Sequence, residues 1–242
     1  MSQIRTFLAG ATTMAAALTA LVTLTGASLP ARLASFDEIT VGRINVVEPD
    51  GTKRIIIASK ARFPGDFLQG KEGARPDRRD FAGMLFINEE GTENGGLIQK
   101  GSVKADGKIE SGLSMTFDRF RQDQAMQLIN TDSAERQRTG ISINDVPYYQ
   151  LASVEDRQRF NVEAGKLPEA GQRAYWQKLA EQGRLSQNRI WLGNTPGKSS
   201  VLQLKDAKGR TRMMLMVTPE GQPEIQMLDE QGKVTKSINA SS

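Results

Sequence analysis

The stretch Val201-Leu202-Gln203-Leu204-Lys205-Asp206-Ala207-Lys208-Gly209 leads into Arg212-Met213-Met214-Leu215-Met216-Val217. The next two runs are Glu224-Ile225-Gln226-Met227-Leu228 and Lys233-Val234-Thr235-Lys236-Ser237-Ile238. Apolar residues alternate in the first run, and each run ends at a turn closed by Gly209, Gly221 or Gly232, spaced by twelve and eleven residues. Period-2 patterning between regularly spaced turns reads as a four-stranded antiparallel meander. Residues 213–217 are apolar on both faces, which predicts a central strand covered on both sides.

The turns share a chemistry. In Asp206-Ala207-Lys208-Gly209, Asp229-Glu230-Gln231-Gly232, Glu48-Pro49-Asp50-Gly51 and Asn88-Glu89-Glu90-Gly91, an acidic or amide residue precedes Gly by three places. Lys104-Ala105-Asp106-Gly107 and Thr218-Pro219-Glu220-Gly221 are looser versions. Such strings suit a type I turn whose last residue takes positive φ and forms a bulge, the geometry of a short hairpin. Outward from the meander, residues 43–47 and 54–58 flank Gly51, and 83–87 and 95–98 bracket Gly91. Residues 112–117, 125–130 and 140–143 supply further strands. Arg54 and Arg212 both stand three residues after a turn glycine, a weak internal repeat. The expected class is mainly β, antiparallel hairpin and meander repeats closed into a propeller-like or barrel-like form.

Two stretches break this rhythm. Residues 60–80 read as a loop with six basic and four acidic residues, a net of +2. Residues from about 150 to 185 read as a helical insertion: Ser153 and Asp156 have capping-box spacing, Pro168 can open a second helix, and Gly183 can close it. Tyr175 and Leu179, four apart, are expected to face the sheet together.

The amino end is of another kind. Between Phe7 and Leu29 no residue is charged, and a helix over that stretch would be roughly 34 Å long, enough for a hydrocarbon core of about 30 Å. Neither Ala31-Arg32-Leu33-Ala34 nor Gly26-Ala27-Ser28 is a clean cleavage signal. Residues 1–35 are therefore expected to be a signal anchor that spans the membrane, with a secreted or periplasmic product after cleavage as the alternative. Arg5 at the amino end predicts that residues 36–242 form one extracytoplasmic β-domain.

Composition removes several chemistries. The 242 residues contain no histidine and no cysteine and carry a formal net charge of +4. Imidazole bases, thiol nucleophiles, His- or Cys-ligated zinc, iron–sulfur sites and disulfides are excluded. No turn matches a calcium loop, so no metal and no cofactor is expected. Nucleic acid is disfavoured, because no basic run carries interleaved aromatics.

Candidate binding residues are few. Asn94-Gly95-Gly96 offers bare backbone to a ligand, or a close strand approach that needs no side chain. Trp176 and Trp191, with Tyr148, Tyr149 and Tyr175, gather around the insertion as a partner or sugar surface, or as packing of helix on sheet. Lys60, Arg62, Lys71, Arg75, Arg78 and Arg79 would meet anionic headgroups or glycans, or else form a solvated loop. Carboxylates at Asp37, Glu38, Glu89, Glu90 and Glu93 would serve a glycosidase only if two faced each other across a cleft.

Residues 36–51, from Phe36-Asp37-Glu38-Ile39-Thr40 to Glu48-Pro49-Asp50-Gly51, with Arg62-Phe63-Pro64-Gly65 and Gly91-Thr92-Glu93-Asn94-Gly95-Gly96, resemble a group of uncharacterised exported or membrane-anchored bacterial β-rich proteins. The resemblance implies a bacterial origin and the anchor-plus-β-domain layout, and it brings no activity and no site residue. The expected function is a non-enzymatic binding or scaffolding role at the cell envelope, with a protein or glycan partner. The alternative is a carboxylate-dependent hydrolase of envelope glycans, and a third reading is a subunit of a larger envelope complex.

Overall fold

A computed structural model describes residues 33–134 and 136–239. The chain divides into two units, Met1–Thr40 and Val41–Ser242, and the predicted anchor helix lies outside the described residues. The described part of the first unit, residues 33–40, has no regular secondary structure and is exposed.

The second unit is built on one sheet. Strands β1 (Arg43–Val47), β2 (Lys53–Ala58), β5 (Ala82–Ile87), β6 (Glu93–Val103), β7 (Ile109–Asp118) and β8 (Gln124–Ser133) follow one another. The order continues with β9 (Gln137–Asp145), β10 (Gln187–Asn194), β11 (Ser200–Lys205), β12 (Thr211–Val217), β13 (Pro223–Leu228) and β14 (Val234–Asn239). All twelve are antiparallel, and each pairs with the next in sequence order. A separate two-stranded hairpin, β3 (Asp66–Leu68) and β4 (Lys71–Gly73), interrupts residues 60–80.

The predicted turns form as read. In each of the six, the glycine N–H bonds the carbonyl three residues back, as Gly51 does to Glu48 and Gly209 to Asp206. The glycines take φ from +75° to +89°, where any Cβ would be strained. Asp206 shows how the side chain fixes such a turn. Its carboxylate accepts the Lys208 and Arg210 backbone N–H groups at 2.9 and 3.1 Å, and the Arg210 Nε–H at 2.8 Å. Those bonds, the Arg210 guanidinium foremost, lower the Asp206 pKa to about 2. The unfolded value is about 3.9, so this contribution is present above pH ~4 and disappears as the pH falls toward 2. Urea midpoints at pH 4.5 and 2.5 are expected to differ less in Asp206→Asn than in the native chain.

Closure fails as an expectation. The order runs from β1 to β14 without the two ends meeting, so among the described residues there is no closed barrel. Nor are there separate four-stranded blades, because hydrogen bonding passes unbroken through all twelve strands. Strand β12 is interior in the order, yet Leu215 and Val217 are 40% and 45% exposed, so among the described residues nothing supplies the expected cover on that face.

Among the described residues, only one face of the sheet is built over. Ile56 and Leu85 are fully buried, with Ala58 and Ile87, beneath Phe67 of the β3–β4 hairpin and Phe63. The insertion forms α1 (Val154–Gly165) and α2 (Glu169–Glu181). The Ser153–Asp156 capping box is present, and Pro168 stands at the N-cap of α2. Tyr175 and Leu179 do not turn to the sheet as expected. They pack with Ala152, Phe160, Trp176 and Leu185, a small core that the insertion makes for itself.

Gly140 of β9 and Gly193 of β10 are paired in register, and the Trp191 ring lies over both. A Cβ on Gly140 would sit 2.7 Å from that ring and collide with the Leu192 carbonyl. Gly140→Ala is expected to cost about 1–3 kcal/mol, the usual penalty of overpacking, read as a lower urea midpoint.

Candidate functional site

The residues singled out in the sequence do not converge. Asn94 is exposed on β6, whereas Gly95 and Gly96 are buried in the sheet. The Gly96 N–H is already taken by the Thr116 hydroxyl at 3.0 Å, and a Cβ on Gly96 would lie 2.6 Å from the Met84 carbonyl. These glycines let neighbouring strands come close. Trp176 is half-buried in the helical pair, edge-on to Tyr175 at 5.7 Å. Trp191 is buried rather than displayed, and its Nε1–H donates to the Asn194 carbonyl at 3.2 Å.

A groove of about 860 Å³ runs between the β3–β4 hairpin, the start of β6 and the turn at Arg119–Asp123. Several of its charges are locked together. Arg78 donates a two-pronged fork to Glu93 at 2.7 and 2.8 Å, and a further bond to the Gly65 carbonyl at 2.9 Å. Arg75 forks onto Asp77, and Arg121 onto Glu90. These guanidinium bonds lower the pKa values of Asp77 and Glu90. The basic residues of the 60–80 stretch are thus partly turned inward; Arg75 and Arg78 are structural, while Lys60 pairs with Asp80 at the surface. Phe120, Tyr148 and Tyr149 form an aromatic cluster under Arg121, whose guanidinium lies 5.3 Å from the Tyr149 ring centre. Among the described residues, no three carboxylates gather as a metal would require.

The opposite face of the sheet has a feature that the sequence hid. Register places Ile44, Ile57, Met84, Leu97, Met115 and Leu128 side by side from β1 to β8. Ile141, Leu192, Leu202, Leu215, Ile225 and Ile238 continue the row to β14. One aliphatic or Met side chain per strand therefore makes an unbroken line across the sheet. A second row lies two residues away on the same face. It runs through Val46, Ile55, Phe86, Gly95, Phe117 and Met126. Ile143, Ile190, Leu204, Met213, Met227 and Lys236 complete it. Apart from Gly95, no member of either row is buried, and Leu192, Phe117 and Leu128 are 48%, 41% and 41% exposed. At ~4.8 Å between strands the ribbon is about 53 Å long, and its two rows cover on the order of 600 Å². That is the upper end of what a monomer shows, and such patches mark interaction surfaces.

Neither the protein-family models nor the curated proteins searched give a match to this chain.

Proposed function

We propose that the chain is a non-enzymatic binding scaffold of the bacterial cell envelope. In this reading residues 7–29 tether it to the membrane, and the uncovered sheet face is its working surface. The apolar ribbon is the observation that carries the proposal, and its occupant is a second copy of the chain. Two ribbons laid face to face would bury on the order of 1,200 Å², within the range of stable interfaces. Two sheets of the same twist stack readily at about −30°, and a two-fold pairing withdraws both apolar faces from water at once. A lipid surface is the poorer fit. Elements that lie on membranes combine their apolar face with Trp, Tyr and many basic residues. The ribbon has no Trp or Tyr and one cation, Lys236.

The hydrolase alternative finds less support. A glycosidase needs one carboxylic acid with a raised pKa, whereas among the described residues the carboxylates with shifted values, such as Asp77, Glu90 and Asp156, are shifted down by their partners.

Sedimentation equilibrium of the full chain in detergent tests the proposal. A monomer–dimer equilibrium in which sheet-face crosslinks join the two copies is expected. A monomer at every concentration, or a monomer that binds neutral vesicles through this face, would overturn it.

A further inference from the structure

Three cations meet on the built-over side of the sheet, and among the described residues no acid pairs with them. Arg136, Arg138 and Lys205 line a cavity of about 170 Å³, with the side chains of Asn194 and Gln203 and the ring of Trp191. The Arg138 guanidinium lies 4.2 Å from the Trp191 ring centre. The indole is itself fixed by its bond to the Asn194 carbonyl and by the glycine pair beneath it. Several other part-buried arginines are matched by an acid: Arg78 by Glu93, Arg121 by Glu90, Arg189 by Asp145 and Arg210 by Asp206. Among the described residues, the side chains of Arg136, Arg138 and Lys205 make no ion pair and no hydrogen bond, the bonds at Arg136 and Lys205 being to their backbone atoms.

That contrast is the anomaly. Charged groups drawn out of water are normally paired. Here burial lowers the pKa of Arg138, and the charge of Arg136 adds to the effect. Burial likewise lowers Lys205, with the charge of Arg138 adding to it. The cavity therefore holds positive charge that no described residue neutralises. A guanidinium held over an indole ring keeps N–H groups for other acceptors and loses little freedom on using them.

We propose that this cavity is an anion site that takes one phosphate-class oxyanion, either free phosphate or the phosphomonoester of a lipid headgroup. Arg138 supplies a planar fork to two oxygens, Lys205 a point charge to a third, and Arg136 long-range attraction at the rim. The volume equals about six waters at ~30 Å³ each. It accommodates one tetrahedral anion with a few waters and falls short of the ~300 Å³ at which pockets enclose larger ligands. The site is independent of the apolar ribbon, which lies on the other face.

Calorimetric titration of the full chain in detergent, at constant chloride, tests this with two probes: inorganic phosphate and dihexanoyl phosphatidic acid. Saturable binding of at least one probe is expected. Arg138→Gln and Lys205→Gln are each expected to weaken it by about tenfold or more, since a charge-assisted hydrogen bond contributes roughly that factor. Arg173→Gln, at an exposed site on α2, should bind like the native chain. Tighter binding of the lipid form supports the site with a headgroup as the source, and equal binding supports it with free phosphate. Circular dichroism checks folding, and Arg136→Gln at the exposed rim replaces any variant that unfolds, with a smaller loss expected. Absence of binding at millimolar phosphate overturns the proposal. So does native affinity in folded Arg138→Gln and Lys205→Gln, or an equal loss in Arg173→Gln.

Discussion

Arg78→Ala is expected to lower stability by about 3 kcal/mol, one of the largest effects of any single polar substitution in the molecule. The reason is what would be left behind. The Arg78 and Glu93 side chains are only 11% and 14% exposed, and Glu93 relies on Arg78 for both of its short bonds. Removing the guanidinium leaves a carboxylate stranded in the groove wall and the Gly65 carbonyl without its 2.9 Å donor. Arg78 also ties the β3–β4 hairpin to β6. Besides the packing of Phe67 on the sheet core, the hydrogen bonds that remain are neutral, from the Gln69 N–H to the Thr92 hydroxyl and from the Gly70 N–H to the Gly91 carbonyl, each at 3.0 Å. Urea denaturation measures the loss, and faster amide exchange confined to residues 66–73 would locate it. The double variant Arg78→Met with Glu93→Met is expected to recover most of the stability, because it removes the stranded charge as well as the pair. If the single and double variants were equally unstable, the fork's packing and not its charge would be what holds the hairpin.

What could be read from the sequence was local, and what could not was a matter of closure and register. The Gly51, Gly91 and Gly209 turns announce themselves because positive φ and an acceptor three residues earlier are chemical requirements of a few neighbouring residues. The Ser153 cap of α1 was legible for the same reason. Whether β14 returns to β1 leaves no mark on either strand, since the period-2 pattern is the same in an open sheet and a closed one. Arg78 and Glu93 lie fifteen residues apart among charges that look alike, so no spacing singles out that pair. Trp191 stands out in the sequence as one of two tryptophans, but Arg138 meets it across β9 and β10, whose pairing passes through a bulge and around the whole helical insertion. The apolar face was misread in kind. Residues 213–217 carry the hydrophobicity of a covered strand, yet nothing in a run of Met, Leu and Val says whether the cover comes from the same chain or from another.

Leu128→Glu combined with Leu192→Glu settles that last point. Both side chains lie in the central part of the first row, Leu128 and Leu192 each pairing with Ile141 between them. Within one copy they are close to half exposed, so the two charges should change its stability by less than about 1 kcal/mol, as surface substitutions usually do. In a face-to-face dimer the same positions become the middle of the interface. Two carboxylates per copy would then be pressed against aliphatic side chains, and each buried ion without a partner costs several kcal/mol. The association constant is expected to fall by at least about a hundredfold, or 2.8 kcal/mol. Gln222→Glu, an equally acidic change in the exposed β12–β13 turn, should leave it unaltered. Sedimentation of the three chains in the same detergent gives the comparison directly. A doubly substituted chain that folded and still dimerised as the native one does would move the contact to another surface, such as the open edge of β14. A ribbon that tolerates charge at its centre does not meet a second copy.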